Sequence, residues 1–141
     1  MITFNFQEVL LKLQQRQLLR KWLTETIIEA GYKPGDVNYI FCNDDFLLDI
    51  NRKYLKHNTL TDIVTFDYSE RKILSGDIYI SIERVAENAR KFSNTFAEEL
   101  HRVMVHGILH LTGQKDKTEI EKSEMRNSEN RCLEKLNESL S

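Results

Sequence analysis

Two histidines spaced four residues apart are the side chains best suited to chemistry. On a helix, His106 and His110 project from the same face, about one turn apart. Gly113 stands where such a helix would end, because glycine adopts the left-handed C-cap conformation without a steric penalty. The chain can then bring the carboxylate of Asp116 to the same place. Two imidazoles and a carboxylate would bind a metal ion and leave a fourth position open for water, as catalytic zinc sites do.

A similar spacing occurs in a class of zinc proteases, in which the residue after the first histidine is a glutamate that acts as general base. This chain has Gly107 at that position, so a peptidase would need a base from elsewhere in the chain. The other alternative is a pair of core histidines that bind nothing. The glycine and aspartate at suitable offsets, with Leu109 and Leu111 packed around them, favour the metal site.

Three motifs resemble those of one bacterial family. They are NRKY at 51–54 followed by TDIVTF at 61–66, GDIYIS at 76–81, and HGILHLTG at 106–113. In this order they resemble the YbeY family, the bacterial rRNA maturation factors described as metal-dependent endoribonucleases. The resemblance covers roughly residues 1 to 138. The combination of the three motifs is highly specific, although no single one would be.

The resemblance implies one zinc ion per chain, held by His106, His110 and Asp116. It further implies cleavage of single-stranded RNA, in maturation of small-subunit rRNA and in ribosome quality control. The implied partners are the small ribosomal subunit and a ribosome-associated GTPase. The reaction class rests on the resemblance, because metal ligands alone do not choose between peptide, phosphodiester and deamination chemistry.

The chain departs from the family pattern at two positions. Many members have a third histidine where this chain has Asp116, and the extra negative charge lowers the ion's power to acidify water. Many members also have an arginine, thought to help catalysis or hold RNA, where this chain has Leu55. Arg52, Lys56 or His57 would then supply the missing positive charge. This basic cluster also suits the dipole at a helix C-terminus, so both explanations remain open.

Two carboxylates are further candidates near the site. Asp62 either forms a turn or accepts a hydrogen bond from a ligand imidazole, as metal-bound histidines usually require. Glu99 lies on the helical stripe of His106 and His110, but about 10 Å before His106 along the axis. That distance suits an outer contact better than a direct general base.

The main alternative function is a ribosome-assembly factor that binds RNA without cutting it and uses the metal structurally. The open fourth coordination position argues against it, and the absence of a visible general base argues for it. Removal of a structural metal would unfold the domain, whereas a domain with a catalytic metal would stay largely folded.

The composition predicts one globular domain over residues 1–141, with 40% hydrophobic and 30% charged residues. A net charge of -2 excludes RNA binding through bulk positive charge, so RNA contact requires a local basic groove. Cys42 and Cys132 lie far apart and outside any Cys-x-x-Cys pattern, which is typical of a reducing compartment. We find neither a signal-peptide pattern nor an apolar run of about 20 residues, and therefore expect a cytoplasmic protein without membrane association.

Hydrophobic periodicity predicts the element order β-α-β-α-β-β-α-α-α. This order indicates an α+β domain with about four strands, the histidine helix lying centrally against the sheet and further helices flanking it. The family resemblance implies that the sheet is mixed. The predicted strands cover 2–6, 37–42, 63–66 and 76–82, and the predicted helices cover about 14–30, 44–54, 83–93, 96 onward and 119–136.

Three finer predictions follow from local patterns. Residues 33–36, with the only proline, are predicted to form a turn. Tyr54 and Phe92 are predicted to face inward from their helices. The alternating charges of the last helix indicate a solvated helix packed on the edge of the domain through a weakly apolar face, which consists of Ile120, Met125, Cys132, Leu133 and Leu136.

Overall fold

The predicted order of elements is confirmed by the computed structural model, which describes residues 1–57 and 59–140. The elements in this part of the chain are β1 (Ile2–Phe6), α1 (Arg16–Glu29), β2 (Lys33–Cys42), α2 (Asp44–Leu55), β3 (Ile63–Asp67), β4 (Ile73–Ser81), α3 (Ile82–Lys91), α4 (Phe96–Leu111) and α5 (Glu119–Leu140).

The four strands form one sheet in the order β1-β2-β4-β3. β1 pairs with β2 and β2 with β4 in parallel, whereas β3 joins β4 antiparallel and forms an edge of the sheet. The predictions of an α+β fold and a mixed sheet are therefore confirmed. Alternate residues of the two central strands are fully buried on one face, namely Val37, Tyr39, Phe41, Ile78 and Ile80.

Helix α4 packs closely against this buried face. The hydroxyl of Tyr39 donates a hydrogen bond of 2.7 Å to the backbone carbonyl of Met104. One turn further, a Cβ atom added to Gly107 would lie 3.0 Å from two carbon atoms of Ile78 and 3.2 Å from Ile63. Glycine is therefore the residue that allows this close approach of helix and sheet.

Helix α5 is more deeply packed than its charge pattern indicated. The indole nitrogen of Trp22, on α1, donates a 2.8 Å hydrogen bond to the backbone carbonyl of Cys132, on α5. Met125, Glu129 and Leu136 are buried on the inner face of α5. Met125 and Leu136 belong to the predicted apolar face, whereas the predicted Ile120 is exposed and the buried Glu129 was not predicted, because charge alternation does not show which charged residue points inward.

The turn predicted at residues 33–36 is also wrong, because β2 already begins at Lys33, with a register shift between Pro34 and Val37. The N–H of Lys33 donates to the carbonyl of Lys72, on the side of β4. The nitrogen of Pro34 therefore faces the opposite edge of β2, the edge that pairs with β1. The pairing of β1 with β2 starts only at Val37, so Pro34 lies beyond the end of β1. A proline is tolerated there because its missing N–H breaks no ladder bond.

The strand predicted to reach Ile82 ends at Ser81, because the Ser81 hydroxyl accepts the N–H of Arg84 and caps α3. The two aromatic side chains predicted to face inward are exposed, Tyr54 by 62% and Phe92 by 53%. Each lies at or just beyond the last turn of its helix; the ring of Tyr54 packs edge-on against Phe66 of β3, with ring centroids 5.9 Å apart, but most of its surface stays exposed. Among the described residues, no helix is both long and apolar enough to span a membrane.

Candidate active site

A cavity of about 700 Å³ opens beside the edge strand β3. The C-terminal end of α2 and the loop after it form one wall, and α4 and α5 form the opposite wall. Residues 88 and 92 from the end of α3 close a third side. The cavity brings together ten titratable side chains, namely His57, Asp62, Glu99, Arg102, His106, His110, Asp116, Lys117, Arg126 and Glu129.

Helix α4 places the two histidines on the wall of this cavity, as their spacing predicted. The rings of His106 and His110 are nearly parallel, with an interplanar angle of 7° and centroids 6.2 Å apart. His106 is half-buried, whereas His110 is exposed. The helix ends at Leu111, and Gly113 follows in the left-handed conformation, with φ of 97°.

The turn at Gly113 brings Asp116 back to the first histidine. Its Oδ2 atom lies 3.3 Å from Nε2 of His106. Two atoms that each bind zinc at about 2.0–2.1 Å with a tetrahedral angle are about 3.3 Å apart. The pair therefore has the spacing of two ligands of one ion.

Glu129, a residue that the sequence interpretation missed, fixes the orientation of His106. Its Oε2 atom accepts a 2.8 Å hydrogen bond from Nδ1 of His106, and its Oε1 atom accepts a 2.9 Å bond from Arg102. Arg102 also donates to the side-chain oxygen of Asn130 at 2.9 Å. Because Nδ1 is engaged, the Nε2 atom is the one that faces Asp116. This arrangement matches the carboxylate–histidine contact found behind most metal-binding imidazoles.

The electrostatics of this pair agree with its geometry. Burial alone would raise the pKa of Glu129, but its hydrogen bonds and charge interactions with His106 and Arg102 outweigh burial, and its pKa is lowered. Burial alone would lower the pKa of His106, but the Glu129 contact, together with the charges of Asp116 and Asp62, raises it. In the absence of a metal, the charged forms of both groups are thus stabilised.

Asp62 lines the same cavity but does not hydrogen-bond the ring of His106, whose Nδ1 is bonded to Glu129 instead. Its Oδ2 atom accepts a long 3.4 Å hydrogen bond from Asn88, and its backbone carbonyl accepts the N–H of Ser81. Burial raises the pKa of Asp62, an effect that the nearby charge of His106 partly offsets. This carboxyl group is therefore easier to protonate than an exposed one.

The other predicted residues are distributed unevenly. Glu99 is buried, lines the cavity and accepts a 3.3 Å hydrogen bond from Asn94. His57 lines the cavity too, as does Leu55, whereas Arg52 and Lys56 are not among its lining residues. Two basic residues that the sequence interpretation did not consider, Lys117 and Arg126, do line it.

The three candidate metal ligands are only partly brought together in this structure. Among the described residues, no three His, Cys, Asp or Glu side chains converge as a preformed metal-binding group. The pair of His106 and Asp116 has suitable spacing, and His110, exposed on the same wall, would have to reorient its ring to complete the group. The donor set itself, two imidazoles and a carboxylate, fits zinc.

The peptidase alternative loses its base for a structural reason. A side chain at position 107 would begin within 3.0–3.2 Å of Ile78 and Ile63, in the core between α4 and the sheet. A glutamate there would meet these two side chains at its first side-chain carbon. The helix is therefore built for close packing at the position where the zinc proteases carry their base.

The fold and the cavity together define a class of protein, an α+β domain with a polar cleft on a His-x-x-x-His helix. The family model of endoribonuclease YbeY matches residues 2–137. A protein of Flavobacterium psychrophilum with the name endoribonuclease YbeY is 47% identical over 94% of this chain and 94% of its own length. A protein of the same name from Cytophaga hutchinsonii is also 47% identical, over 94% and 93%.

A structural comparison agrees with these matches. The solution structure of TM1509 from Thermotoga maritima superimposes with a TM-score of 0.66 at 29% identity, and the match covers 96% of this chain and 89% of the other. The chain belongs to the YbeY endoribonuclease family. The predicted family and the predicted class of enzyme, a hydrolase that acts on RNA phosphodiesters, are thereby confirmed.

Proposed function

We propose that this chain is a zinc-dependent, single-strand-specific endoribonuclease that acts in maturation of small-subunit rRNA and in ribosome quality control. Its metal ligands in this proposal are His106, His110 and Asp116. The observation that carries the proposal is the Glu129–His106–Asp116 arrangement, with contacts of 2.8 Å and 3.3 Å, inside a cavity of a YbeY-family chain.

A zinc ion, when bound, would polarise a phosphate oxygen and lower the pKa of a bound water. The side chains of this chain prepare that chemistry. Glu129 holds the His106 ring through Nδ1, and Arg102 in turn holds Glu129. Lys117 and Arg126, two cations on the cavity lining, are placed to attract the RNA backbone and partly replace the positive charge missing at Leu55.

Asp62 is the carboxyl group that we assign to proton transfer. Of the four carboxylates that line the cavity, Glu129 is paired with Arg102, Asp116 lies beside His106, and Glu99 lies about 10 Å before His106 along α4. The raised pKa of Asp62, caused by burial, moves it toward the range in which a carboxyl group exchanges protons near neutral pH. Asp62→Asn is expected to lower kcat about 100-fold or more while zinc binding is retained.

The proposed setting is the bacterial cytoplasm, with the small ribosomal subunit and a ribosome-associated GTPase as partners. Family membership and the named activity of the relatives support the RNA substrate. A short pull-down of ribosomal subunits by tagged protein, with and without ribonuclease treatment, would test the association. Recovery of neither subunit would contradict this part of the proposal.

The activity itself is tested by cleavage of an end-labelled, single-stranded RNA by wild-type protein and by His110→Ala, purified identically. His110 is exposed, so its replacement is expected to leave the fold intact. We expect cleavage by the wild type alone, because the paired variant controls for contaminating nuclease. Equal cleavage by both proteins, or by neither with zinc fully loaded, would contradict an enzyme and favour a binding factor.

The assembly-factor alternative differs in what metal removal does. The core between α4 and the sheet is closed by apolar packing and the Tyr39–Met104 hydrogen bond, away from the histidines. We therefore expect the metal-free protein to keep its helix content by circular dichroism and a cooperative thermal transition. Unfolding on chelation, reversed by zinc, would identify the metal as structural.

A further inference from the structure

Phe92 is an exposed aromatic side chain on the lining of the active-site cavity. It caps the C-terminal end of α3, and 53% of its surface remains accessible to solvent. The apolar periodicity of α3 predicted that it would be buried, so its exposure is a departure from that pattern. An aromatic ring left in water at a cleft costs solvation free energy that a ligand would recover.

The neighbours of Phe92 limit what the ligand could be. The ammonium group of Lys91 lies 5.5 Å from the centre of the Phe92 ring, within cation–π range. Asn88, one turn earlier on α3, lines the cavity and donates to Asp62. Lys91 lies over one face of the ring, so a flat ligand would stack on the opposite face, in a cavity that Asn88 also lines.

A nucleobase fits these features better than an apolar peptide side chain. Bases stack on aromatic rings whatever their sequence, amide side chains hydrogen-bond their edges, and the phosphate attached to each base matches a nearby lysine. The backbone N–H of Phe92 donates a 2.9 Å hydrogen bond to the carbonyl of Asn88, and the Asn88 side chain donates to Asp62, so the ring is one helical turn from a neighbour of the proposed reaction centre.

We propose that Phe92 is a stacking platform for one base of single-stranded RNA, close to the phosphodiester that is cut. This inference rests on the proposed function, since it takes the cavity to be the RNA-cleaving site. It also explains a preference for single strands, because a base inside a duplex offers no free face to the ring.

The test uses steady-state cleavage of a short RNA with its cleavage position mapped, and a series of RNAs with one abasic nucleotide at each successive position. For wild type, an abasic nucleotide at the stacked position is expected to raise KM about 5- to 150-fold. Phe92→Leu, which keeps apolar bulk without a stacking face, should raise KM for intact RNA by a similar factor. It should show no further loss with the abasic RNA at that position.

Two variants serve as controls. Phe92→Trp is expected to restore a wild-type KM, because it provides a larger stacking face. Tyr68→Ala removes an equally exposed aromatic side chain, 59% accessible, that does not line the cavity, and it should leave KM unchanged. Thermal transitions of all variants, which we expect to coincide, verify that they fold.

The stacking proposal is overturned if wild type and Phe92→Leu respond equally to every abasic RNA, or if Phe92→Trp does not restore binding. Failure of the proposed function would look different. If the wild type cuts no RNA, the same abasic series measured by fluorescence anisotropy still reports whether Phe92 stacks on a base. A loss of affinity at one position, absent in Phe92→Leu, would then support stacking by a binding protein.

Discussion

The two main walls of the cavity are held in different ways. The helical wall, which consists of Arg102, His106, His110 and Glu129, is tied by charged hydrogen bonds of 2.8–2.9 Å between two packed helices. The loop wall consists of Asn51, Leu55, His57, Thr59, Thr61 and Asp62, and the buried side chain of Asn51 ties its two ends together. That amide donates a 3.0 Å hydrogen bond to the carbonyl of Thr59.

Under the proposed function, this difference would separate two tasks of one site. Metal ligands must be held at fixed distances, and rigid helices with charged contacts behind the ligands provide this. A wall that meets single-stranded RNA must adapt to a flexible substrate, and a largely exposed loop is suited to that. We therefore expect changes in the helical wall to affect metal binding, and changes in the loop wall to affect RNA.

The largest effect should come from Glu129→Ala. His106 would lose the contact that orients its ring, and zinc affinity, measured by competition with a chromophoric chelator, is expected to fall about 10- to 100-fold. Glu124→Ala, an exposed carboxylate on the same helix, should leave the affinity unchanged. Equal zinc affinity in the two variants would show that the helical wall does not hold His106 as described.

The second largest effect should be the loss of stability caused by Arg102→Met. Glu129 is buried, with 6% of its surface accessible, and it would lose one of its two charged partners. We expect a loss of about 1–3 kcal/mol in the free energy of unfolding, measured with urea. The exposed pair of Arg90 and Glu87 provides the control, because Arg90→Met should leave the free energy of unfolding nearly unchanged. Equal losses would place the Arg102–Glu129 pair among ordinary surface contacts.

A smaller effect concerns pH in the metal-free protein. The lowered pKa of Glu129 gives stability that is present above the unfolded value of 4.5 and is lost as pH falls through the folded value. The raised pKa of His106 gives stability that is present below 6.5 and is lost as pH rises through the folded value. Stability differences between wild type and Glu129→Gln should therefore be greatest at about pH 5–6.5 and decline on both sides. A difference independent of pH would contradict the ion pair.

The smallest effect should come from Asn51→Ala on the loop wall. Loss of one hydrogen bond to Thr59 is expected to cost about 1 kcal/mol in unfolding free energy and to raise KM for RNA a few-fold. Zinc affinity should not change, and that result distinguishes the two walls. A drop in zinc affinity as large as that of Glu129→Ala would mean that both walls hold the metal.

Much of the fold could be predicted from sequence, because its signals are local. The order of elements follows from periodicity, and the end of α4 follows from Gly113, which adopts the expected positive φ. The sequence pattern of Thr95 followed three residues later by Glu98 is typical of a capping box, and the structure has this capping box at the start of α4. Each of these depends on residues within a turn or two of one another.

The errors arise where distant elements decide the outcome. Glu129 lies 23 residues after His106, in a helix full of similar charges, and spacing does not show which one faces the site. Tyr54 and Phe92 fit the apolar stripes of their helices but lie at the ends, where exposure depends on how far neighbours extend. A buried charge on an otherwise polar helix could have been suspected only from the need of His106 for a carboxylate partner.

The hydrogen bond between Trp22 and Cys132 makes tryptophan fluorescence a probe of the packing of α5. Trp22 is the only tryptophan in the chain, it is buried, and its indole is bonded to the backbone of α5, the helix that carries Glu129. The intrinsic fluorescence of this one residue therefore reports whether α5 is docked. Detachment of α5 would expose the indole and shift its emission to longer wavelengths, so the integrity of the helical wall can be followed without a label.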